Sequence, residues 1–147
     1  MTDESAVIDG IDRRILGILA DEGRLSWREV GERVHLSATA VGDRVRRLER
    51  TGVVTGYRAT IEPRALGRDL RAVVEVHLRP EIVPEDFEAA LADRPGVAYA
   101  AYVTGAEDYA VLIDCAGAEG LDTFTRWCKA HGAASTVSRV VLRRVIG

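Results

Sequence analysis

Apolar residues recur at helical spacing in three successive stretches near the start of the chain. The first stretch places isoleucine and leucine on one helical face, at Ile11, Ile15, Ile18 and Leu19. Asp9 stands where the N-cap of that helix is expected, and Ser26 with Glu29 has the spacing of a capping box that begins a second helix. A third helix is predicted over 37–49. Three helices with a tight turn between the last two predict a helix-turn-helix.

The third predicted helix has two contrasting faces. Val41, Val45 and Leu48 align on one face, because positions i, i+4 and i+7 coincide on a helical period. The opposite face is polar and rich in arginine, as expected of a helix that enters a DNA groove. The candidates for base contacts are Ser37, Thr39 and Asp43, and the candidates for phosphate contacts are Arg46, Arg47 and Arg50.

Two residues near this helix are unusual. His35 falls in the turn before it, where a left-handed backbone is often needed, and we interpret His35 as a turn residue rather than a catalytic or metal-binding one. Gly42 lies inside the helix, at a cost of about 1 kcal/mol relative to alanine. Close approach to DNA and tight packing against a neighbouring helix explain Gly42 equally well.

The second half of the chain alternates strand-like and helix-like patterns. Residues 53–61 are expected to be extended, and the turn-forming residues 63–67 mark a domain boundary. Beyond it we predict strands at 71–78, 97–104, 109–115 and 136–145, with one helix starting at Pro84 and another that buries Leu121, Phe124 and Cys128. The order βαββαβ is ferredoxin-like, which makes the chain an α+β protein. The predicted domains are 1–60 for DNA binding, 61–70 as a linker and 71–147 as the second domain.

A ferredoxin-like sheet has helices on one side only, so its other face must be exposed or covered by something else. Val73 and apolar residues of both parities in the later strands indicate that both faces are at least partly buried. We therefore predict a homodimer formed through the sheet faces. A two-fold dimer also suits a helix-turn-helix protein that binds paired half-sites.

Composition limits the remaining possibilities. The net charge of −3 belongs to residues 61–147, which have ten basic and thirteen acidic residues, whereas residues 1–60 have ten of each. No apolar run is long enough to span a membrane and the start of the chain lacks a signal-like region, which predicts a cytoplasmic protein. Cys115 and Cys128 lack metal-ligand or redox spacing and are expected to be small buried hydrophobes. No nucleophile arrangement, nucleotide-binding loop or metal cluster is found, so we expect no cofactor and no enzymatic function.

The whole order of motifs resembles the Lrp/AsnC family, the feast/famine transcriptional regulators. The matching stretches are 8–16, Leu36 with Ser37, 44–49, 52–57, Leu66 with Gly67, and 104–109. The resemblance implies a winged helix-turn-helix followed by a sensor domain that dimerises and commonly assembles to octamers. It also implies an amino acid or a related metabolite bound between neighbouring sensor domains.

Carried over by position, the ligand site consists of the turn Gly105, Ala106, Glu107 and Asp108, together with Thr136 and Ser138 in the final strand. An aspartate or a backbone carbonyl can bind an α-ammonium group, while amides and hydroxyls can bind a carboxylate. A plain turn stabilised by the side chain of Asp108 is the alternative. Tyr99 and Tyr102 could shape the pocket, although core packing is the favoured role for both.

The sequence departs from the family at the start of the third helix. His35 replaces the usual glycine, and the small residues Ala38, Ala40 and Gly42 lie at the base-facing start of the helix. DNA shape is therefore expected to carry part of the specificity. The leading hypothesis is a nucleoid-associated, ligand-responsive transcription factor. One alternative is an enzyme related to the siroheme decarboxylases, for which His77 and His131 are the available histidines in the second domain. Another is an architectural protein that wraps DNA without a ligand.

Overall fold

The computed structural model describes residues 7–145 and divides the chain into two compact units, with the boundary between Thr60 and Ile61. The first unit contains three helices, α1 (Gly10–Asp21), α2 (Trp27–Val34) and α3 (Ala38–Arg50). The capping predictions are confirmed, because Asp9 and Ser26 each form both halves of a capping box. Ser37 caps α3, with its hydroxyl oxygen accepting a hydrogen bond from the Ala40 amide at 3.2 Å.

The core of the first unit joins the apolar faces of the three helices. Its fully or almost fully buried members are Ile15, Val30, Val34, Val41 and Val45. The turn between α2 and α3 is tight: His35 has φ +61°, as predicted, and a Cβ on Gly31 would lie 2.4 Å from the carbonyl oxygen of Leu36. Only glycine at position 31 leaves room for the chain to turn back here.

Gly42 lies on the side of α3 that faces α2. Gly42 is buried, and a Cβ at this position would lie 3.4 Å from Cδ1 of Trp27 on α2 and 3.3 Å from Nη1 of Arg46. An added methyl group would be in ordinary van der Waals contact with Trp27, so packing against α2 does not by itself require glycine here.

The wing expected after α3 is not formed by strands. Residues 53–62 have no strand pairing, although an extended segment was predicted there. Tyr57 instead fixes this segment, because its hydroxyl group donates a hydrogen bond to Glu49 at 3.0 Å. A single extended stretch forms a strand only when a neighbour satisfies its backbone groups, and none of the described residues does so here.

The second unit has the predicted βαββαβ order. It begins with a short 3-10 helix, Pro63–Leu66, and continues with β1 (Leu70–Leu78), α4 (Pro84–Ala92), β2 (Val97–Tyr102), β3 (Tyr109–Cys115), α5 (Gly117–Ala130) and β4 (Ala133–Val140). The sheet is antiparallel in the order β2-β3-β1-β4. Alternate residues of β1 and β3 pack with Phe87, Leu91, Phe124 and Cys128 of the two helices.

The last strand lies earlier in the chain than predicted. We expected it at 136–145, whereas β4 covers Ala133–Val140. The register pairs Val140 with Ala72 near the start of β1, and Val141 donates one further hydrogen bond to Arg71 at 2.8 Å. β1 begins at Leu70, so residues 142–145 have no strand to pair with and do not extend β4. No helix within 7–145 is long and apolar enough to cross a membrane.

Candidate DNA-binding and ligand-binding sites

The polar face of α3 is exposed. Thr39, Asp43, Arg46 and Arg50 lie on it, and Ser37 stands exposed at its beginning. Nη2 of Arg46 lies 2.5 Å from Oδ1 of Asp43, and both side chains remain more than half exposed. An exposed pair of this kind holds its geometry weakly, so both groups are available to a partner.

Arg47 occupies a different position from the one expected of a phosphate contact. Its Nη2 donates to Oδ2 of Asp12, a fully buried residue of α1. Arg44 reaches the same carboxylate, with Nη1 at 2.9 Å from Oδ1 of Asp12 and at 2.6 Å from Oδ2 of Asp9. The Asp12 carboxylate holds part of the Arg47 guanidinium group inside the unit. The Arg47 side chain is 36% exposed and that of Arg46 is 63% exposed, so Arg46 is the better placed of the two for a phosphate contact.

Asp12 is the electrostatic centre of the first unit. Burial alone would raise the pKa of its carboxyl group. The Asp9 amide, which donates to Asp12 at 3.0 Å, and the two arginines outweigh burial and lower that pKa to about 2. The Asp12 carboxylate thus stays charged and ties α3 to the start of α1. Nothing in the sequence pattern distinguished Asp12 from an ordinary first-turn acid.

The turn between β2 and β3 is held against β1 by Asp108. The Asp108 amide donates to the carbonyl oxygen of Val76 at 2.9 Å, and Oδ2 of Asp108 accepts from the Leu78 amide at 2.7 Å. The same Oδ2 lies 3.0 Å from Nδ1 of His77. The carboxylate of Asp108 is therefore engaged within its own chain, which agrees with the plain-turn alternative for this residue.

Glu107 presents the opposite case. Its Oε2 is buried and has no hydrogen-bond partner, the one such side-chain atom within residues 7–145. Arg139 on β4 is close by: its pKa is raised chiefly by a hydrogen bond to Glu75 and also by the charge of Glu107. No residue within 7–145 donates to this oxygen, so a water molecule or a ligand that reached it would find a free acceptor.

Backbone donors of the same turn are also available. Among the described residues, the amides of Gly105 and Ala106 donate to no protein acceptor. Gly105 has φ +134°, a conformation that other residues rarely adopt, and a Cβ there would meet nothing within 4 Å. The turn therefore has open space beside Gly105 and free amides at Gly105 and Ala106, all within two residues of Glu107 and its unpartnered Oε2.

Within one chain, Thr136 and Ser138 are not brought to the turn. The register pairs Thr136 with Val76 and Ser138 with Val74, so both hydroxyls lie on the helix-covered side of the sheet. Glu75, His77 and Arg139 lie on the other side, because their positions alternate with those of the buried residues. The sequence placed both residues on the last strand, but it could not determine which face of the sheet their side chains occupy.

Tyr99 and Tyr102 are not core residues, contrary to the favoured prediction. They are 61% and 66% exposed on the edge strand β2. They line an open groove of about 460 Å³ between α4 and β2. Tyr102 packs edge-on against the ring of Tyr109, whose hydroxyl donates to Glu88 at 2.8 Å. An alanine-rich strand at a sheet edge has too few neighbours to bury two large rings.

The remaining candidates are two cysteines and two histidines of the second unit. Cys115 and Cys128 are buried free thiols, as predicted, and burial raises the pKa of Cys128 to about 12. His77 pairs with Asp108, and His131 stacks on Trp127 with their ring centroids 4.2 Å apart. Both histidines therefore have structural partners.

Comparison with known proteins gives one family match in each of the two units. Residues 8–49 match the AsnC-type helix-turn-helix domain, and residues 71–147 match the Lrp/AsnC ligand binding domain. The HTH-type transcriptional regulator LrpA of Mycobacterium tuberculosis is 36% identical over 92% of this chain and 90% of its own length.

Two solved structures are similar over nearly the whole chain. One is the feast or famine regulatory protein from M. tuberculosis complexed with L-methionine, with a TM-score of 0.88, 35% identity and 95% coverage of both chains. The other is a transcriptional regulator from Neisseria meningitidis in complex with L-methionine, with a TM-score of 0.88, 30% identity, and coverage of 95% of this chain and 92% of that one. These likenesses, with the helix-turn-helix and the ferredoxin-like unit described above, show that the chain belongs to the Lrp/AsnC family of transcriptional regulators.

Proposed function

We propose that this protein regulates transcription in the cytoplasm by inserting α3 into the major groove of DNA, under the control of an amino acid bound at the turn 105–108. The observation that carries the DNA-binding role is the exposed polar face of α3, mounted on a rigid three-helix core. Ser37, Thr39 and Asp43 read bases, and Arg46 and Arg50 hold phosphates. The carboxylate of Asp43 can accept a hydrogen bond from a cytosine amino group once Arg46 turns to the backbone.

Replacement of Arg46 by alanine tests the phosphate contact. We expect the slope of log K against log salt concentration to fall by about 0.9, and the affinity at 0.1 M salt to fall roughly eightfold. The loss should be similar on the protein's own upstream region and on a shuffled duplex, since phosphates carry no sequence information. Fluorescence anisotropy across a salt series measures both quantities.

Arg126→Ala is the matched control, because Arg126 is an exposed helical arginine of the second unit that pairs with Asp122 as Arg46 pairs with Asp43. Equal slopes for the two variants would remove Arg46 from the interface. Binding of the unaltered protein to neither duplex would contradict the DNA-binding function itself.

The effector site rests on the unpartnered Oε2 of Glu107. Protein atoms cover this oxygen, so the Glu107 side chain turns outward to accept a hydrogen bond from an α-ammonium group, and the free amides of Gly105 and Ala106 take the α-carboxylate. Asp108 then acts as the anchor of the turn rather than as the ammonium ligand. Two relatives whose structures contain L-methionine support an amino acid as the ligand class.

A homodimer through the uncovered face of the sheet completes the proposal, and further assembly to an octamer follows the family pattern. Val73 and Leu112 lie half-buried on this face, beside the exposed Tyr99 and Val137. The ion pair between Arg139 and Glu75 crosses it. A second copy of the same face can cover the apolar residues while their polar neighbours stay at the rim.

Val137→Asp is expected to dissociate this dimer. Val137 is 41% exposed, so an aspartate is tolerated in the single chain, but in the dimer each copy would bury a charge against the apolar residues of the other. Light scattering should report a mass near 16.0 kDa for the variant and at least twice that for the unaltered protein. Val83→Asp, at a comparably exposed position before α4, should leave the mass unchanged. Monomeric unaltered protein, or a dimeric Val137→Asp variant, would contradict the proposed interface.

A further inference from the structure

A groove of about 150 Å³ in the second unit is lined by arginine. It lies between the 3-10 helix Pro63–Leu66, the start of β1 and the segment that follows β4. The arginines that line it are Arg64, Arg68, Arg71, Arg143 and Arg144. They come from both ends of the unit, and the sequence pattern offered no indication that they meet.

The concentration of positive charge in this groove is unusual for the unit that contains it. Residues 61–147 carry ten basic and thirteen acidic residues. Five of the ten basic residues line the groove, together with only three of the thirteen acidic residues, Glu62, Asp69 and Asp114. The surface of the rest of the unit is therefore acidic, and the groove is a local positive region within it.

The three acids of the groove are engaged in holding its shape. Asp114 receives two hydrogen bonds from Arg71, at 2.5 and 2.7 Å. Asp69 accepts from the Gly117 amide at 2.8 Å, and Glu62 caps the 3-10 helix through the Arg64 amide. Only Asp114 is paired with an arginine, and Asp69 and Glu62 keep their negative charges, because an amide donor does not neutralise a carboxylate. Five arginines against three carboxylates therefore leave the groove with a net charge of +2.

Arg64, Arg68 and Arg143 are the arginines that remain available. Within residues 7–145 their guanidinium groups make no ion pair or hydrogen bond. Arg68 is half-buried, so its charge is held near the groove instead of extending freely into water. Several unpaired guanidinium groups around one concavity favour an anion, and phosphate oxygens match their donor geometry.

We propose that this groove binds backbone phosphates of DNA and forms a second, sequence-independent contact surface besides α3. The proposal rests on the DNA-binding function of the first unit. Arg64 follows Thr60, the last residue of that unit, by four positions, a span of at most about 14 Å in an extended chain. Duplex DNA carries a phosphate charge about every 1.7 Å along its axis, so neighbouring arginines of the groove can each contact a phosphate.

The experiment compares Arg68→Gln combined with Arg143→Gln against the unaltered full chain, on the upstream duplex and on a shuffled duplex. If each arginine holds one phosphate, the salt slope should fall by about 1.8, and each arginine removed should weaken binding roughly eightfold at 0.1 M salt. The weakening should be equal on the two duplexes. Arg68→Lys combined with Arg143→Lys should recover most of the slope, since counterion release depends on charge. Arg79→Ala, a control for an exposed arginine of the same unit paired with Glu81, should leave the slope unchanged.

The possible failures can be told apart. Unaltered protein that binds neither duplex contradicts the DNA-binding function. If the unaltered protein binds DNA with the same salt slope as the double glutamine variant, the groove proposal alone is overturned. Titration calorimetry with inorganic phosphate at constant ionic strength tests for a site that binds small anions. If the glutamine variant loses phosphate binding but keeps the salt slope for DNA, the groove is a small-anion site, and the proposal is also overturned.

Discussion

Asp12→Asn should lower the free energy of unfolding of the first unit by about 3 kcal/mol, because it removes the charge that two arginines of α3 share. The substitution keeps the size of the side chain and leaves Arg44 and Arg47 facing a neutral amide at a buried position. It also weakens the capping box at the start of α1. Urea unfolding followed by Trp27 fluorescence measures the effect in a Trp127→Phe background, where Trp27 is the only tryptophan.

The same carboxylate predicts a dependence on pH. The folded-state pKa of Asp12, about 2, lies below its ordinary value of 3.8, so the unfolded chain binds the proton more readily. The stabilisation is therefore complete above about pH 4 and is lost as the pH falls through 2. The pKa difference corresponds to about 2 kcal/mol. The unaltered protein should lose this contribution between pH 4 and pH 2, and Asp12→Asn should lack that component of its pH profile.

Asp43→Asn is the matched control for both measurements. Asp43 also pairs with an arginine of α3, but the pair is exposed, so its removal should change the free energy of unfolding by less than about 0.5 kcal/mol. If Asp12→Asn unfolded at the same urea concentration as Asp43→Asn, the central role of the Asp12 carboxylate would be refuted.

The sequence predicted best the features that are decided locally. The caps at Asp9 and Ser26 follow from side chains that bond to amides three residues away. The left-handed residue His35 follows from the shortness of the turn. The bounds of β3 follow from a β-rich run closed by turn residues on both sides, and Tyr109–Cys115 was predicted correctly.

Features that depend on a distant partner were missed or displaced. The burial of Asp12 requires arginines more than thirty residues away, and from the sequence Arg47 could not be told apart from a DNA-facing arginine. The end of β4 is set by where β1 begins, so composition alone overextended the strand to 145. The same register put Thr136 and Ser138 on the side of the sheet away from Glu75 and Arg139. Successive side chains of a strand point to opposite faces of the sheet, so an error of one residue in the register moves every side chain to the other face.

The family pattern selected the turn 105–108 as the candidate ligand site, but it did not separate the roles of the two acids in that turn. Asp108 and Glu107 are adjacent and carry the same charge. The separation comes from β1, whose Leu78 amide and His77 ring occupy one carboxylate and leave the other unpartnered. The division of roles is thus a property of the packed turn, and it leads to a test in which the two residues behave differently.

Glu107→Gln should weaken the binding of L-methionine about thirtyfold or more, as measured by titration calorimetry. A hydrogen bond between two charged groups contributes about 2 kcal/mol, which corresponds to that factor. The same substitution should not lower the thermal midpoint of the ligand-free protein, since it replaces a buried, unpartnered carboxylate oxygen by a neutral amide. Loss of affinity without loss of stability separates a ligand contact from a structural residue.

Asp108→Ala should lower the stability of the ligand-free protein, whereas Glu107→Gln should not. Asp108→Ala removes the acceptor of the Leu78 amide and the partner of His77, so the ligand-free protein should lose about 1 kcal/mol of stability, and affinity should fall only because the turn is loosened. Glu81→Gln, which neutralises an exposed acid elsewhere in the unit, should change neither quantity.

Normal binding by Glu107→Gln, with abolished binding and unchanged stability in Asp108→Ala, would return the ammonium contact to Asp108. If no amino acid in a full panel raised the thermal midpoint of the unaltered protein, the amino-acid effector itself would be rejected, and DNA binding without a ligand would be the better account of the second unit.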